Sequence, residues 1–367
     1  MKVSLRALLT ALVFCLGLGG CFLAQVISPP PSVLTSERRQ PADPPKPQSI
    51  GSADWMDRFE RYAADRFFLR EPARRLRAGA VLGLFAMTDK DGLYLDPASG
   101  SAGKFEAIDS SSAAQFAETI ARLAAGMPEQ RVYYAVVPDK SWYAARRYPG
   151  YDPARLREIL VPKLSGLTEI DLTGALTLRS YYRTDLHWDQ RQLGSVVQTL
   201  GEAMGISFAS PEEGSWREAG AFLGVYPGQL ALPLPPDTMT YWGGGAAEDA
   251  LAQYLDPRTA QLVPGVVYDL EKFVGRDPYD LFLCGAQPLV VLENPSAVTE
   301  RELFLFRDSF GSNLAPLLLS GYRRVTLIDL RLINARALPE FFKYPDGADV
   351  LFLYSTQIIN HAGTLMT

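Results

Sequence analysis

Short runs of apolar residues alternate along this chain with segments whose apolar residues recur at helical spacing. Helical spacing predicts, among others, a helix over Asp152–Leu164 and one over Gln190–Met204, the second with Asp189 as its N-cap. Continuous apolar strands separated by helices indicate an α/β fold with a mostly parallel sheet covered by helices on both faces. The apolar runs predict buried strands at 132–137, 169–172, 288–293, 303–306, 324–329 and 349–354.

One long stretch interrupts this alternation. Residues 207–286 are rich in Gly and Pro and poor in periodic pattern, so they predict an irregular insertion. Gly243-Gly244-Gly245 is its most flexible point and is interpreted as a loop, because no phosphate-loop spacing surrounds these glycines. The pattern therefore predicts one α/β domain over residues 53–367 that carries the insertion near 207–286.

The chain begins with a basic and then an apolar segment. Lys2 and Arg6 precede an uncharged run from Ala7 to Ile27. As a helix this run is about 30 Å long, enough to cross a bilayer. Positive charge before the run predicts that the amino terminus stays inside and the body of the chain lies outside.

Three interpretations of residues 1–27 remain open. An uncleaved signal anchor is favoured, because Phe22–Ile27 extends the run past the length of a signal core. Leu18-Gly19-Gly20-Cys21 also matches a lipoprotein signal, in which Cys21 would be lipidated and become the new terminus. The third interpretation is a cleaved secretory peptide. All three place the rest of the chain across a membrane.

A proline-dense segment and two short helices follow. The prolines of residues 28–52 exclude a helix or an interior strand and predict an extended linker. Aromatic residues at helical spacing predict a helix over Trp55–Arg70, and Pro72 opens a second helix that carries Arg74, Arg75 and Arg77. We interpret this basic cluster as a solvated helix face, the alternative being contact with lipid head groups.

Composition excludes several classes of function. The formal net charge of −5 and the pI near 5.3 argue against a nucleic-acid partner. With only His187 and His361, a multi-histidine metal site is excluded, and we expect no cofactor. Of the three cysteines only Cys284 falls in the predicted globular part, so no disulfide framework is expected.

A hydroxyl stands where one predicted strand turns into a helix. The apolar run 303–306 stops at Arg307-Asp308-Ser309, and a helical pattern begins a few residues later. A serine at such a corner projects beyond the carboxyl end of the strand, close to the N–H groups that begin the helix. That position suits a nucleophile, because those N–H groups can hold an oxyanion. From the pattern alone, however, a helix cap is the commoner explanation of Ser309.

A second polar pair lies before the predicted helix at 190. Asp185 and His187 are two residues apart, so in an extended segment both point to the same side. The carboxylate can then accept from one ring nitrogen and orient the imidazole while the other nitrogen takes a proton. The alternative, favoured by composition alone, is a histidine hydrogen-bonded at a loop end. The spacing leaves open whether Asp185 bonds His187 directly.

The segment Arg183-Thr184-Asp185-Leu186-His187-Trp188 resembles the R-T-D-H-H-W signature of the DHHW protein family. It is also similar to the Asp-x-His-Trp motif of the alginate O-acetyltransferase family. The resemblance spans about residues 55 to 355, in the order of the family's motifs. Further segments that resemble them are 59–70, 136–140, 279–285, 307–310 and 328–331.

The resemblance implies an SGNH-hydrolase-like α/β domain whose serine comes late in the chain. Carried over by position, Ser309 is the nucleophile, His187 the general base and acid, and Asp185 the orienting carboxylate. The implied oxyanion donors are the Ser309 backbone N–H and, as weaker candidates, Asn313 or Asn294. The chain departs from the families in two places: Leu186 replaces the first histidine of the signature, and Arg307 replaces the Gly that precedes Asp-Ser in many SGNH enzymes.

The resemblance implies acyl transfer through an acyl-serine intermediate. We expect a membrane-tethered, extracytoplasmic O-acyltransferase or esterase that moves or removes acetyl groups on a cell-envelope or exported polysaccharide. The resemblance implies a membrane-bound O-acyltransferase as the partner that supplies acyl groups. The alternative is a non-catalytic glycan-binding or assembly subunit on the same fold. Neither the glycan nor the acyl group follows from the sequence.

Overall fold

The structure is a computed structural model that describes residues 4–47, 50–144, 151–210 and 215–367. Lys2, one of the charges behind the predicted topology, lies outside the described residues. The chain divides into two compact units. The first unit comprises Met1–Lys90 and Pro227–Pro233, and the second comprises Asp91–Tyr226 and Leu234–Thr367.

The helices and strands follow the predicted order, with extra strands in the middle of the chain. The α-helices are α1 Leu5–Ile27, α2 Ala53–Arg66, α3 Arg70–Ala78, α4 Ser110–Ala124, α5 Pro153–Leu160, α6 Gly194–Met204, α7 Val225–Leu230, α8 Leu270–Phe273, α9 Phe310–Leu318 and α10 Thr356–Ile359. The strands are β1 Leu93–Asp96, β2 Ser101–Lys104, β3 Arg131–Val137, β4 Thr168–Ile170, β5 Trp216–Phe222, β6 Asp237–Trp242, β7 Leu251–Asp256, β8 Gln261–Gly265, β9 Leu289–Glu293, β10 Glu302–Arg307, β11 Arg324–Ile328 and β12 Asp349–Ser355.

The second unit is built on an eight-stranded sheet in the order β4-β3-β12-β10-β11-β9-β7-β8. Its first five strands are parallel, so their carboxyl ends share one edge of the sheet. Strands β9, β7 and β8 continue it in antiparallel pairing. The predicted α/β fold with a mostly parallel sheet is confirmed.

Both faces of this sheet are buried, which explains why its central strands carry runs of consecutive apolar residues. Along β10, Leu303 and Leu305 pack into one hydrophobic cluster together with residues of α6 and α9. Phe304 and Phe306 pack into the other cluster, with residues of α4 and α5. Because successive side chains point to opposite faces, a strand covered on both sides needs apolar residues throughout.

Two parts of the second unit differ from expectation. Residues 190–192 form a 3₁₀ turn capped by the Asp189 carboxylate, and the α-helix predicted from Gln190 begins only at Gly194. The described part of the stretch 207–286, which was predicted to be irregular, contains four strands, of which β7 and β8 belong to the main sheet. Their alternating and partly exposed residues, which suit the edge of a sheet, lack the continuous apolar run used to predict strands.

The first unit contains α1, α2 and α3. Within the described residues, one helix is long and apolar enough to cross a membrane, over Leu8–Ile27. The predicted helix 55–70 is split, because Phe67 adopts an extended backbone after α2 and α3 begins at Arg70. A π-helical stretch, Gly79–Leu84, continues α3.

Candidate active site

Ser309 lies between the end of β10 and the start of α9, at the carboxyl edge of the parallel strands. It is the N-cap residue of α9, but its side chain makes no capping hydrogen bond. Asp308 does that work instead: Oδ1 accepts from the Phe310 N–H at 3.0 Å, and Oδ2 accepts from the Ser355 N–H at 2.8 Å. The Ser309 hydroxyl is therefore not used as the helix cap that the sequence favoured.

The imidazole of His187 lies beside this hydroxyl. Its Nε2 is 2.7 Å from Ser309 Oγ, although the two residues are 122 positions apart in the chain. Its Nδ1 is 2.7 Å from Asp185 Oδ1. The structure therefore brings Asp185, His187 and Ser309 into one hydrogen-bonded chain, and it answers the open question of a direct Asp185–His187 contact.

Asp185 is 2 % exposed and every contact it makes favours its ionised form. Burial acts to raise the pKa of its carboxyl, but the hydrogen bond and charge of His187, together with two backbone N–H groups, outweigh burial. Backbone N–H groups of His187 and Val225 also donate to the carboxylate, at 3.1 and 3.0 Å. The net effect is a lowered pKa, so Asp185 is an anion that can accept from Nδ1 of the ring.

Trp188 and Asn313 join the histidine loop to the first turns of α9. The indole Nε1 of Trp188, which is fully buried, donates to Phe310 O at 3.0 Å and to the Asn313 side-chain oxygen. In return, Asn313 Nδ2 donates to Trp188 O at 3.0 Å. This reciprocal pair holds the residue after His187 against the helix that follows Ser309.

Tyr279 covers the imidazole from one side. Its ring stacks on His187 with the centroids 3.7 Å apart and the planes 11° from parallel. The Tyr279 hydroxyl donates to Ser309 O at 3.3 Å. The side chain is 5 % exposed, so the stacked face of His187 is shielded from water.

The loop that carries Asp185 is held by a buried lysine. Lys140 Nζ donates to three backbone carbonyls, Ala102 O at 2.6 Å, Tyr182 O at 2.8 Å and Asp185 O at 2.9 Å. Burial lowers the pKa of Lys140 to about 8, although the negative charges of Asp185 and Asp237 act to raise it. Lys140 thus fixes the backbone of Asp185.

A second set of contacts holds the residues just before Asp185. Asp237 accepts from the backbone N–H groups of Arg183 and Thr184, and from the Thr184 hydroxyl at 2.6 Å. Gly224 passes so close to this loop that a Cβ there would lie 2.3 Å from Thr184 O and 2.4 Å from Asp185 Cβ. A residue with a side chain at 224 would therefore push the loop away.

The three predicted oxyanion donors are placed very differently. Among the hydrogen bonds of the described residues, none uses the Ser309 amide, which lies beside its own hydroxyl. Asn313 is fully buried, and its amide is engaged by Trp188. Asn294 follows β9, which runs antiparallel to β11, so it lies at the opposite edge of the sheet and bonds Leu319 O. The structure does not bring Asn294 to Ser309.

The two departures from the family pattern have structural explanations. Leu186 packs partly buried against the core, so its side chain replaces the first histidine of the signature with an apolar contact. Arg307 is 1 % exposed, lies 3.6 Å from Asp329 and donates to Asp308 O, so a buried ion pair accommodates it under the turn. His361, at the C-terminus, is exposed and bonds Gln357 O.

Several residues around the site carried no role in the sequence analysis. Lys140 and Tyr279 fall in segments that resemble family motifs, which was the only signal for them. Gly224 and Asp237 fall in the stretch 207–286, where no local pattern singles them out. Cys21, the candidate lipidation site, lies exposed in α1, and its modification stays a prediction.

Comparison with known proteins gives matches only at the level of structure. A scan against models of protein families gives no match, and a search of curated proteins gives none either. A DHHW family protein from Eubacterium siraeum is similar with a TM-score of 0.61 and 18% identity, over 76% of this chain and 97% of that one. Bacillus cereus PatB1, solved with a sulfonyl adduct, is similar with a TM-score of 0.55 and 15% identity, over 73% of this chain and 95% of that one.

A more distant match is the O-acetyltransferase domain of Pseudomonas putida AlgJ, with a TM-score of 0.40 and 12% identity, over 68% of this chain and 84% of that one. That score is too low to support an argument about fold. The relationship suspected from the motifs is supported at the level of fold by the first two structures. The chain has the SGNH-like α/β fold that the DHHW family protein and PatB1 also have.

Proposed function

We propose that this chain is a serine O-acyltransferase or esterase that acts on acetyl groups of a cell-envelope or exported polysaccharide. The observation that carries the proposal is the unbroken hydrogen-bonded chain from Asp185 through His187 to the Ser309 hydroxyl, with 2.7 Å at each step. A hydroxyl within 3 Å of an imidazole that is itself oriented by a carboxylate is the arrangement of an activated serine.

In the first half of the reaction, Ser309 Oγ attacks the carbonyl carbon of an ester while His187 Nε2 takes the hydroxyl proton. The Ser309 N–H can donate to the oxygen that becomes negative. His187 then returns the proton to the departing alkoxide as its C–O bond breaks, leaving an acyl group on Ser309. Asp185 stabilises the imidazolium that exists between these two proton transfers.

In the second half, a hydroxyl attacks the acyl-serine and gives its proton to His187 Nε2. Ser309 Oγ leaves and takes that proton back, so the enzyme is regenerated. A sugar hydroxyl as attacker makes the reaction a transfer, and water makes it hydrolysis. The sequence resemblance favours acetyl as the acyl group and a membrane-bound O-acyltransferase as its supplier.

The location is part of the same proposal. Helix α1 is long and apolar enough to span a bilayer, which supports a tether that keeps the second unit outside the cytoplasm. Acyl-CoA is absent there, so a donor delivered through the membrane is required for transfer.

A fluorophosphonate probe tests the nucleophile. We expect the solubilised full chain to be labelled, Ser309→Ala to lose labelling, and Ser312→Ala, one turn further along α9, to keep it. Hydrolysis of a simple acetyl ester should fall on the order of 10³-fold or more in His187→Ala. PatB1 was solved with a sulfonyl adduct, so a sulfonyl fluoride is a second reagent for the same site.

A folded wild-type chain that is neither labelled nor able to turn over acetyl esters would contradict the proposal and favour a glycan-binding subunit. Transfer is separated from hydrolysis by supplying a carbohydrate acceptor together with the acetyl ester. A transferase passes acetyl to the carbohydrate in preference to water, whereas an esterase releases acetate at the same rate with or without the acceptor.

A further inference from the structure

The corner between α2 and α3 is tied to the end of the apolar helix α1. Gln25, in the last turn of α1, donates from Nε2 to Arg66 O at 2.9 Å. Its Oε1 accepts from the Phe68 N–H at 3.0 Å. One amide side chain thus bonds both the Arg66 carbonyl and the Phe68 N–H of the corner. The end of α1 and the α2–α3 corner are therefore in direct contact.

A second tie runs through the proline-rich segment. Asp65, near the end of α2, accepts from both terminal nitrogens of Arg39, at 2.7 and 2.6 Å, and from the Ala42 N–H at 2.9 Å. Arg66 donates to Ala42 O at 2.6 Å. The segment that follows α1 is therefore pinned to the same corner, so residues 28–42 do not act as a free spacer that carries α2 away.

Helix α2 carries an open apolar stripe. Met56, Phe59 and Ala63 recur at intervals of three and four residues, so they share one face of α2, and Phe67 follows directly after the helix. Together with Ala73 of α3 they line a groove of about 690 Å³, whose lining also includes Glu60, Arg70 and Arg74. Met56, Phe59 and Phe67 are 55 %, 44 % and 41 % exposed. A contiguous apolar surface of this kind marks a site of contact with a partner or a membrane.

Further exposed apolar residues follow on α3 and beyond it. Leu76, one turn after Ala73, is 76 % exposed, and Leu84, at the end of the π-helical stretch, is 78 % exposed. Arg61, two residues from Phe59, lies on the opposite side of α2, because successive residues of a helix are about 100° apart. The two helices are therefore amphipathic, with their apolar side open.

We propose that the α2–α3 hairpin lies in the interfacial layer of the bilayer that α1 crosses, with lipid acyl chains covering its groove. This inference rests on the proposed anchor role of α1. The two ties place the corner at the boundary of the membrane whatever else binds the protein, and aromatic residues such as Phe67 and Phe68 are favoured at that depth.

The attraction to lipid is mainly apolar. Arg74, a member of the basic cluster predicted on α3, points into the first unit, where it pairs with Glu37 at 3.0 Å and donates to Gly228 O and Gln229 O. Arg74 is therefore not a free charge, whereas Arg75 and Arg77 of the same cluster are exposed, as the predicted solvated face requires. Because the contact with lipid is made by apolar side chains, we expect the hairpin to bind neutral phosphatidylcholine bilayers and to resist added salt.

Lipid contact is tested on the full chain in nanodiscs. Single cysteines at position 59, 76 or 61 are labelled with an environment-sensitive fluorophore, in a background where Cys15, Cys21 and Cys284 are alanine. Quenching by a doxyl-labelled lipid then reports contact with the bilayer. We expect Phe59→Cys and Leu76→Cys to be quenched several-fold more than Arg61→Cys, in phosphatidylcholine alone and at high salt.

A chain that keeps Cys15 as its only cysteine reports on α1. Quenching at Cys15 without quenching at position 59 would overturn the hairpin proposal and leave the anchor intact. No quenching at Cys15 would overturn both. A shielded fluorophore at position 59 that doxyl lipid does not quench would show that protein covers the groove. Fluorophosphonate labelling of Ser309 in every variant separates these outcomes from failure of the proposed chemistry.

Discussion

At the scale of single residues, Asp185 decides which ring nitrogen of His187 carries the proton. Its carboxylate accepts from Nδ1, which leaves Nε2 free to accept from Ser309 Oγ. An asparagine at 185 could present its N–H₂ group to Nδ1 and reverse the tautomer. We therefore expect Asp185→Asn to lower acetyl-ester hydrolysis by about 10³- to 10⁴-fold. An effect below tenfold in a folded variant would show that the carboxylate is not needed for the chemistry.

The same carboxylate gives a prediction for pH and stability. The pKa of Asp185 is lowered in the folded chain, from about 3.9 for an unfolded aspartate. Its ionised form thus adds stability above pH 4, and that contribution is lost as the pH falls through the folded pKa. In urea denaturation, the difference in free energy of unfolding between wild type and Asp185→Asn should be full at pH 7 and shrink below pH 4. A constant difference would contradict this.

Tyr279 is a positioning residue whose effect can be separated into ring and hydroxyl. The ring face on which His187 stacks favours the imidazolium by about 0.5–1 kcal/mol, or two- to fivefold in rate. We expect Tyr279→Leu to lose that factor and to shift the activity profile to lower pH, while Tyr279→Phe keeps both. The pH dependence of ester hydrolysis is the measurement. Equal profiles for the Leu and Phe variants would rule out a role for the stacked ring.

At the scale of elements, the site depends on how the loop before Trp188 docks on α9. Trp188→Phe leaves Phe310 O and the Asn313 side chain without their donor, and Asn313→Ala removes the donor to Trp188 O. Each change should cost about 1–3 kcal/mol of unfolding free energy. Because the contacts are shared, the double variant should cost clearly less than the sum of the two.

Chemical denaturation of the four chains of this cycle gives the coupling energy, and fluorophosphonate labelling gives the matching rates. Labelling should slow in both single variants, because the reciprocal hydrogen bonds of Trp188 and Asn313 set the distance between His187 and Ser309. Additive losses of stability with unchanged labelling would mean that these hydrogen bonds stabilise the fold without positioning the site.

The strands show where local sequence pattern is enough to predict an element and where it is not. Strand β10 is covered on both faces, so its apolar run is continuous and was predicted within one residue at each end. Strand β8 is an edge strand of the sheet and contains Pro264, and β7, beside it, is partly exposed. An edge strand needs no continuous apolar run and tolerates proline, and β7 lacks such a run as well, so nothing in their sequence distinguished the two strands from loop.

At the scale of the whole molecule, a buried acidic group outside the Asp185–His187–Ser309 chain affects the response of stability to pH. Burial raises the pKa of Asp189 to about 6, and the charge of Asp237 adds to the rise. The Arg191 N–H donates to this carboxylate and acts in the opposite direction, lowering the pKa. A raised carboxyl pKa contributes stability that is full below the unfolded value and is lost as the pH rises through 6.

Asp189→Asn keeps an acceptor at the cap and removes the charge. We expect this variant to be more stable than wild type by about 1–2 kcal/mol at pH 7 and equal to it at pH 4. Thermal unfolding at the two pH values is the measurement. The same difference at both would show that ionisation of Asp189 does not oppose folding.

The sequence by itself determined the apolar strands, the strand-turn-helix at Ser309 and the membrane-length helix at the start, because each depends on periodicity within a few turns of chain. The family motif predicted the pairing of Asp185 with His187, whereas the two-residue spacing alone left a direct contact open. Only the tertiary structure decided that Nε2 of His187 meets Ser309 Oγ, since the two residues are 122 positions apart in the chain. It also decided that Tyr279, Lys140 and Asp237 support the site, because their contacts are made between elements, where no local pattern can show them.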